Sequence, residues 1–271
     1  MKYENKNHQS EDFFLDTSVQ IERNLSHPDK RGELERFLEA AHSLCTSTYV
    51  KMEYRRSVIG DLVYLYNALI EAESFKEVLY RISNLPAQNH RRVARMLGGI
   101  AGMFEDESSE EVKIRNISDY AKLYFKSILE NWAELFDKDF AFISDKTECF
   151  LAKGGPTLRG DLFNSGMSHC QPSTTRCNIV KIFLDNLDAF KNIVDYLEEA
   201  PFLDSEQERL KAVLLKAIEH PRNLGNRKEC YACGDAVIAV ECPDDCVMIS
   251  KNEKHFNPIC DKIGKKFSAI S

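Results

Sequence analysis

The chain has 271 residues, of which 43% are hydrophobic, enough to fill the core of one large domain or two small ones. Its formal net charge of -7, from 36 Lys and Arg against 43 Asp and Glu, excludes a protein that grips nucleic acid with its whole surface; any such contact must be a local patch. No apolar run is long enough to span a bilayer and residues 1–11 are polar, so a cytoplasmic protein is expected, with its nine cysteines as thiols or metal ligands rather than disulfides.

In chain order, residues 13–16 read as a short buried strand ending at Asp16. Residues 31–43 carry Leu34, Phe37, Leu38 and Ala41 on one face of an amphipathic helix. A strand over 44–47 follows, then a helix from Thr48 that carries Glu53, Arg55 and Arg56. Strand, helix, strand, helix in short order implies a parallel sheet with crossover helices. Residues 60–149 keep helical periodicity almost throughout, and the acidic run 105–111 reads as an exposed turn. Residues 150–176 are rich in Gly, Pro, Ser and Thr and read as one long loop; helices resume at 178–199 and 204–219. The tail returns to alternation, with a short helix opened by Asp235, a strand over 247–250, a helix over 256–263 ended by Gly264, and a last strand over 267–270. The expected fold is an α/β core, residues 1–60 and 226–271, with a parallel sheet flanked by helices and interrupted by a large all-helical insertion, residues 61–225.

Hydrolysis of a phosphodiester with a divalent cation needs hard oxygen ligands that converge on one point. In an open parallel sheet that point lies at the carboxyl ends of the strands. Asp16 ends the first strand, Glu53 lies early in the helix after the second, Asp235 opens the helix that leads into the third, and Asn252 follows that third strand by two residues. All four therefore face one edge of a parallel sheet. The plain alternative is that Asp16 and Asp235 are only helix caps or turn residues.

The segments that carry this layout are Leu15-Asp16-Thr17-Ser18, Ser47-Thr48-Tyr49-Val50-Lys51-Met52-Glu53, Gly234-Asp235-Ala236-Val237-Ile238-Ala239 and Ser250-Lys251-Asn252-Glu253-Lys254-His255-Phe256. Together they resemble the PIN-domain nucleases, a fold shared by toxin ribonucleases and RNA-processing enzymes. The resemblance covers roughly residues 10–60 and 226–271 and says nothing of the insertion. It implies that Asp16, Glu53 and Asp235 bind Mg²⁺ or Mn²⁺, that a ligated water is the nucleophile, and that Thr17, Ser18 or Ser250 hold the site by hydrogen bonds. The family has Asp or Asn at the position of Asn252 and can have Asp at that of His255; here neither is a carboxylate, and Glu253 stands between them. The implied activity is endonuclease cleavage of RNA, of a toxin or defence type. Cleavage of DNA on the same core is the enzymatic alternative. A catalytically weak scaffold that binds a protein partner through its helical insertion is the non-enzymatic one.

Cys230-x2-Cys233 has the spacing of half a tetrahedral zinc site. Cys170 and Cys177, in the aperiodic stretch, are the candidates for the other half, with His169 and Cys149 in reserve. Such an ion would staple the long loop beside the site. Cys242 and Cys246 read as core packing. Two basic clusters, Arg55-Arg56 and His90-Arg91-Arg92 with Arg95, have the composition of a phosphate patch, but a solvated face paired with nearby acids is the preferred reading. Trp132 reads as core, and His255 either as a residue that assists proton transfer or, equally, as a surface residue beside a core Phe256.

Overall fold

Strand β1 (Asp12–Leu15) ends in three apolar residues, Phe13, Phe14 and Leu15, all wholly buried. Side chains alternate along a strand, so Phe13 and Leu15 point to one face and Phe14 to the other, and both faces need a cover. The computed structural model describes residues 11–26, 28–104, 109–166, 177–221, 224 and 227–270. It meets the need with a five-stranded parallel sheet in the order β3 (Phe142–Ser144), β2 (Leu44–Ser47), β1, β6 (Cys246–Ser250), β7 (Lys266–Ala269). Phe14 lies opposite Cys45 of β2 and Met248 of β6, and Leu15 lies opposite Ile249.

The two faces are filled differently. Phe13, Leu15, Val247 and Ile249 pack on Leu34, Phe37 and Leu38 of α2 (Pro28–Leu38) and on Val19 of α1 (Thr17–Leu25). Phe14, Cys45 and Met248 face a larger cluster. It runs through α3 (Thr48–Tyr54), α4 (Gly60–Glu71), α7 (Glu110–Asp137), α9 (Leu187–Glu199), α12 (Gly234–Glu241) and α13 (Glu253–Lys262). Helices α5 (Phe75–Ser83), α6 (Ala87–Gly102), α8 (Ile179–Asp185), α10 (Ser205–Glu219) and α11 (Arg227–Ala232) complete the helical elements. One buried cluster thus joins Phe14, Leu62, Phe125, Phe183 and Met248. No helix among the described residues is long and apolar enough to cross a membrane.

Three sequence expectations need correction. Helix α1, directly after Asp16, was not expected; its polar run Thr17-Ser18 and Gln20 obscures the apolar face made by Val19 and Leu25. Residues 61–225 are not all helical. They contain β3, which pairs with β2 at Cys45 opposite Phe142, and an antiparallel hairpin of β4 (Thr157–Arg159) and β5 (Leu162–Asn164). Strands of three residues are too short to show a period, and Phe142 at the sheet edge is exposed. The expected long loop over 150–176 is partly built: it holds a 3-10 turn, Phe150–Ala152, and the hairpin, while residues 167–176 lie outside the described residues. Of the acidic run, residues 105–108 likewise lie outside them, and Glu110 and Glu111 are exposed in the first turn of α7.

Arg55 organises the region after β3. It is buried, not solvated, and opens a π-helical turn, Arg55–Ile59, between α3 and α4. Its Nη1 donates to the carbonyl of Leu151 and its Nη2 to those of Gly166 at 3.1 Å and Ser165 at 3.5 Å. Gly155 is required by close approach, because a Cβ there would stand 2.6 Å from Nε1 of the buried Trp132. In the other basic cluster, Arg92 pairs with Asp61 at 2.6 Å while His90 and Arg91 are exposed, as a solvated face requires.

Candidate functional site

Strand order in the sheet reverses at β1: the chain moves outward through β2 and β3, then returns to β1's other side with β6 and β7. Such a reversal opens a crevice at the carboxyl ends of the two strands that flank it, here β1 and β6. Asp16 follows β1, and Ser250, Lys251 and Asn252 lie at the end of β6. A helix that leads into a parallel strand runs against it, so the start of α12 lies at the same edge and brings Asp235 there. Helix α3 leaves β2 at this edge with Glu53 in its second turn.

Hydrogen bonds lock the strand ends together. Asp16 is the N-cap of α1: its Oδ1 accepts from the Val19 amide at 3.0 Å and the Ser18 hydroxyl at 2.7 Å. Its Oδ2 accepts from Ser250 Oγ at 2.8 Å. Ser18 Oγ in turn accepts from the Lys251 amide, and Ser250 Oγ from the Asn252 amide, both at 2.9 Å. Thr17 Oγ1 donates to Glu53 Oε2 at 2.8 Å. The other carboxylate oxygen, Oε1, lies against Gly234, where a Cβ would stand 2.5 Å from it. Gly234 is thus what lets Glu53 and the start of α12 meet. Asn252 begins α13, and its side chain does not cap that helix.

Asp235 sits in the first turn of α12 but caps nothing. Its Oδ2 is 2.9 Å from Nδ1 of His255, whose Nε2 is 3.1 Å from Oδ2 of Asp204. His255 is buried, which corrects the surface reading. Its bond to Asp235, reinforced by Asp204 against the effect of burial, pushes its pKa up to about 9, so at neutral pH the imidazolium donates to both acids. Asp204 also accepts from Lys254 Nζ at 2.6 Å, and this bond leads the causes that hold its pKa well below the usual carboxylate range.

The other two acids shift the opposite way. Burial pushes Asp16 up to about 6; its three hydrogen bonds oppose the rise and the charge of Asp235 adds to it. Burial pushes Glu53 up to about 7, with the charges of Asp235 and Asp16 adding, and Arg56 and Thr17 opposing. Asp16 therefore feels the charge of Asp235, and Glu53 the charges of both, while Asp235 itself is paired with the imidazolium of His255. A cavity of about 300 Å³ opens beside Asp235 and His255, lined also by Arg56, Arg209, Tyr196 and Tyr231.

No family model, curated protein or solved structure matches the chain. What the centre can do is therefore argued from its chemistry. Three carboxylates at one edge form a hard-oxygen donor set of the kind that suits Mg²⁺ or Mn²⁺. Among the described residues, no three His, Cys, Asp or Glu side chains stand grouped as a ready ligand shell. Glu53 is turned to Thr17 and Asp235 to His255, which accounts for this.

Of the cysteines proposed as zinc ligands, the structure describes Cys177, Cys230 and Cys233. Cys170 and His169 lie outside the described residues. Cys230 and Cys233 do not form a loop knuckle; they are part of a helical run through α11 and the cap of α12. Cys233 Sγ donates to the Glu229 carbonyl at 3.0 Å, Tyr49 donates to the Cys230 carbonyl at 2.6 Å, and Cys177 Sγ accepts from the Ile179 amide at 3.5 Å. Burial pushes the thiols of Cys230, Cys233 and Cys177 up. Cys242 and Cys246 are buried, and Cys246 Sγ lies 3.3 Å from that of Cys45.

Sequence reasoning missed the roles of Gly234, Asp204 and Arg56. Gly234 was visible as a glycine beside an acid. Asp204 was visible only as the first residue of a capping box with Gln207. Nothing local shows that Asp204 reaches a histidine 51 positions away.

Proposed function

We propose that the chain is a metal-dependent nuclease on a PIN-like core, with the long stretch between α3 and α11 grown around it as a largely helical insertion. The observation that carries this reading is the gathering of Asp16, Glu53 and Asp235 at the strand-order reversal, with the buried Asp16 and the half-buried Glu53 both raised in pKa, first by loss of water and then by the charge of Asp235. Buried acids that lack a cationic partner are what a cation site is made from. Asp16, Glu53 and Asp235 would hold Mg²⁺ or Mn²⁺, with Asn252 as a weaker ligand or an orienting group. A bound divalent ion would supply a water of lowered pKa and would neutralise charge on the phosphate. The chain's own part is to fix Asp16 through Ser18, Ser250 and the Val19 amide, to fix Glu53 through Thr17, and to hold Asp235 through His255. RNA is the preferred substrate and endonuclease cleavage the preferred mode, both by the family resemblance; DNA is the alternative.

The test is cleavage of labelled single-stranded RNA and DNA with Mn²⁺. The native chain should cut one of them, and Asp16→Asn and Asp235→Asn should each lower the rate by about 100-fold or more, about 3 kcal/mol in transition-state stabilisation. Cleavage that survives both substitutions sinks the reading. A second reading, a catalytically weak scaffold, draws on the engagement of Asp235 by His255. It predicts that Mn²⁺ binding, followed by calorimetry, is the same for the native chain and Asp235→Asn.

A further inference from the structure

We propose that the cavity beside Asp235 is a seat for one unpaired nucleotide, with Arg56 and Arg209 as its phosphate clamp and the tyrosines as its base wall. The proposal rests on the nuclease reading for the class of polymer, but its geometry is separate from the three acids. Arg56 lies flat over Tyr231, its guanidinium carbon 3.8 Å from the ring centre. Stacking of that kind immobilises the guanidinium and leaves its N–H groups directed outward in its own plane, ready for a bidentate oxyanion. Among the described residues Arg56 makes no ion pair, and its Nε is buried with no hydrogen-bond partner. Nε of Arg55 is in the same state, but that residue is engaged by loop carbonyls, whereas Arg56 lines the open cavity, where a ligand atom can reach its guanidinium.

Arg209 supplies the second cation. It is exposed on α10, and the structure gives its guanidinium one bond, from Nη2 to the Lys228 carbonyl at 3.2 Å. Among the described residues, two guanidinium groups without carboxylate partners thus line one cavity next to Asp235. Arg56 also counts among the groups that lower the pKa of Glu53, which places its charge close to the centre. Tyr196 adds an aromatic face to a volume of about 300 Å³, at the small end of the range for ligand pockets. That size suits a single base and sugar and excludes a paired one, so the strand must be unpaired there. Glu206, exposed at the rim, disfavours a second phosphate by like-charge repulsion. The pair Arg55-Arg56, adjacent in sequence, is therefore divided: Arg55 holds a loop, and Arg56 faces the substrate.

The experiment uses the full chain in EDTA, so that no cleavage occurs, and fluorescein-labelled octamers of uridine and of thymidine, read by anisotropy. The native chain should bind one or both; a preference for the uridine octamer identifies RNA, and the reverse identifies DNA. Arg56→Lys keeps the charge near Glu53 but loses the flat fork, and Arg209→Ala alters only an exposed side chain; each should weaken binding about 10-fold, with melting temperatures near native. Failure of the native chain to bind either octamer overturns the proposal, as does unchanged affinity in both variants. Cleavage with Mn²⁺, run in parallel, keeps the two readings apart. Native-like binding by both variants alongside cleavage that Asp16→Asn abolishes sinks the seat and spares the nuclease. Binding lost in both variants, with no cleavage by the native chain, does the reverse.

Discussion

Glu53 and Arg55 are two residues apart in the chain, yet they belong to two regions that handle buried charge in opposite ways. On one side, Arg55 is enclosed by backbone carbonyls of Leu151, Ser165 and Gly166 and ties the hairpin region to the helices. On the other, the buried Asp16 and the half-buried Glu53 lie beside another acid, and their hydrogen bonds do not balance the charge. Burying a charge is unfavourable in both places. Where backbone carbonyls answer most of it, as at Arg55, whose Nε alone stays without a partner among the described residues, the result is structure. Where like charges lie beside it, as at Glu53, the fold carries a local imbalance that a proton or a cation relieves, which is why the site is a candidate for chemistry.

The sharpest way to break this comparison is to remove the answered charge. Arg55→Ala leaves buried carbonyls without their donor and opens space, so unfolding in urea should show a loss of about 3 kcal/mol or more. A loss below about 1 kcal/mol would mean that the clamp is dispensable and that the contrast is false. Gly234→Ala should behave in the opposite manner. The added methyl meets Glu53 Oε1, so cleavage should fall about 100-fold, while the helix-forming preference of alanine keeps the stability cost small. Native-like cleavage by Gly234→Ala would show that the position of Glu53 is not critical.

The contrast also explains which parts of the molecule could be read from the sequence. Strand β6 was legible because Val247, Met248 and Ile249 form an apolar run in a buried parallel strand, and β2 by its short length before a helix that opens at Thr48. Asp16 could be placed at the edge because it follows such a strand, and Glu53 and Asp235 because they lie in the first two turns of helices that leave or lead back to the sheet. β3 was not, since three residues carry no period and the pairing that defines it is with residues nearly a hundred positions earlier. Arg55 and Arg56 looked alike because sequence gives a side chain's chemistry but not its side of a helix, and a π-helical turn begins between them and α3. His255 was misjudged because both of its partners, Asp204 and Asp235, come from other helices.

A pH titration of stability sharpens the comparison from the other side. The Glu53 carboxyl moves from its ordinary value of 4.5 to about 7 on folding. Between those values the folded chain holds a proton that the unfolded chain has lost, so this group's contribution to stability is present below pH 4.5 and is lost as pH rises through 7. At pH 8 the ionised Glu53 should therefore cost about 3 kcal/mol. Glu53→Gln keeps an acceptor for Thr17 and carries no charge. It should be more stable than the native chain at pH 8 by that amount and no different at pH 4.5. Thermal melts at the two values decide it, and a Gln variant less stable at pH 8 would show that the charge is already balanced.

The smallest effects lie at the rim, where Asp204 has three kinds of partner. It caps α10 by accepting from the amides of Glu206 at 3.0 Å and Gln207 at 2.9 Å, it accepts from His255, and it pairs with the exposed Lys254. Asp204→Ala should cost about 1–2 kcal/mol, mostly through the lost cap. Lys254→Ala should cost no more than about 0.5 kcal/mol, because an ion pair in water gains little over two solvated charges. The difference between the two variants is the informative quantity, and salt should leave most of it unchanged, since capping is short-ranged while the lysine pair is screened. Equal losses that vanish together in high salt would mean that the lysine, and not the cap and the imidazolium, fixes Asp204. The chain from Asp204 through His255 to Asp235 would then be no firmer than the surface it starts from.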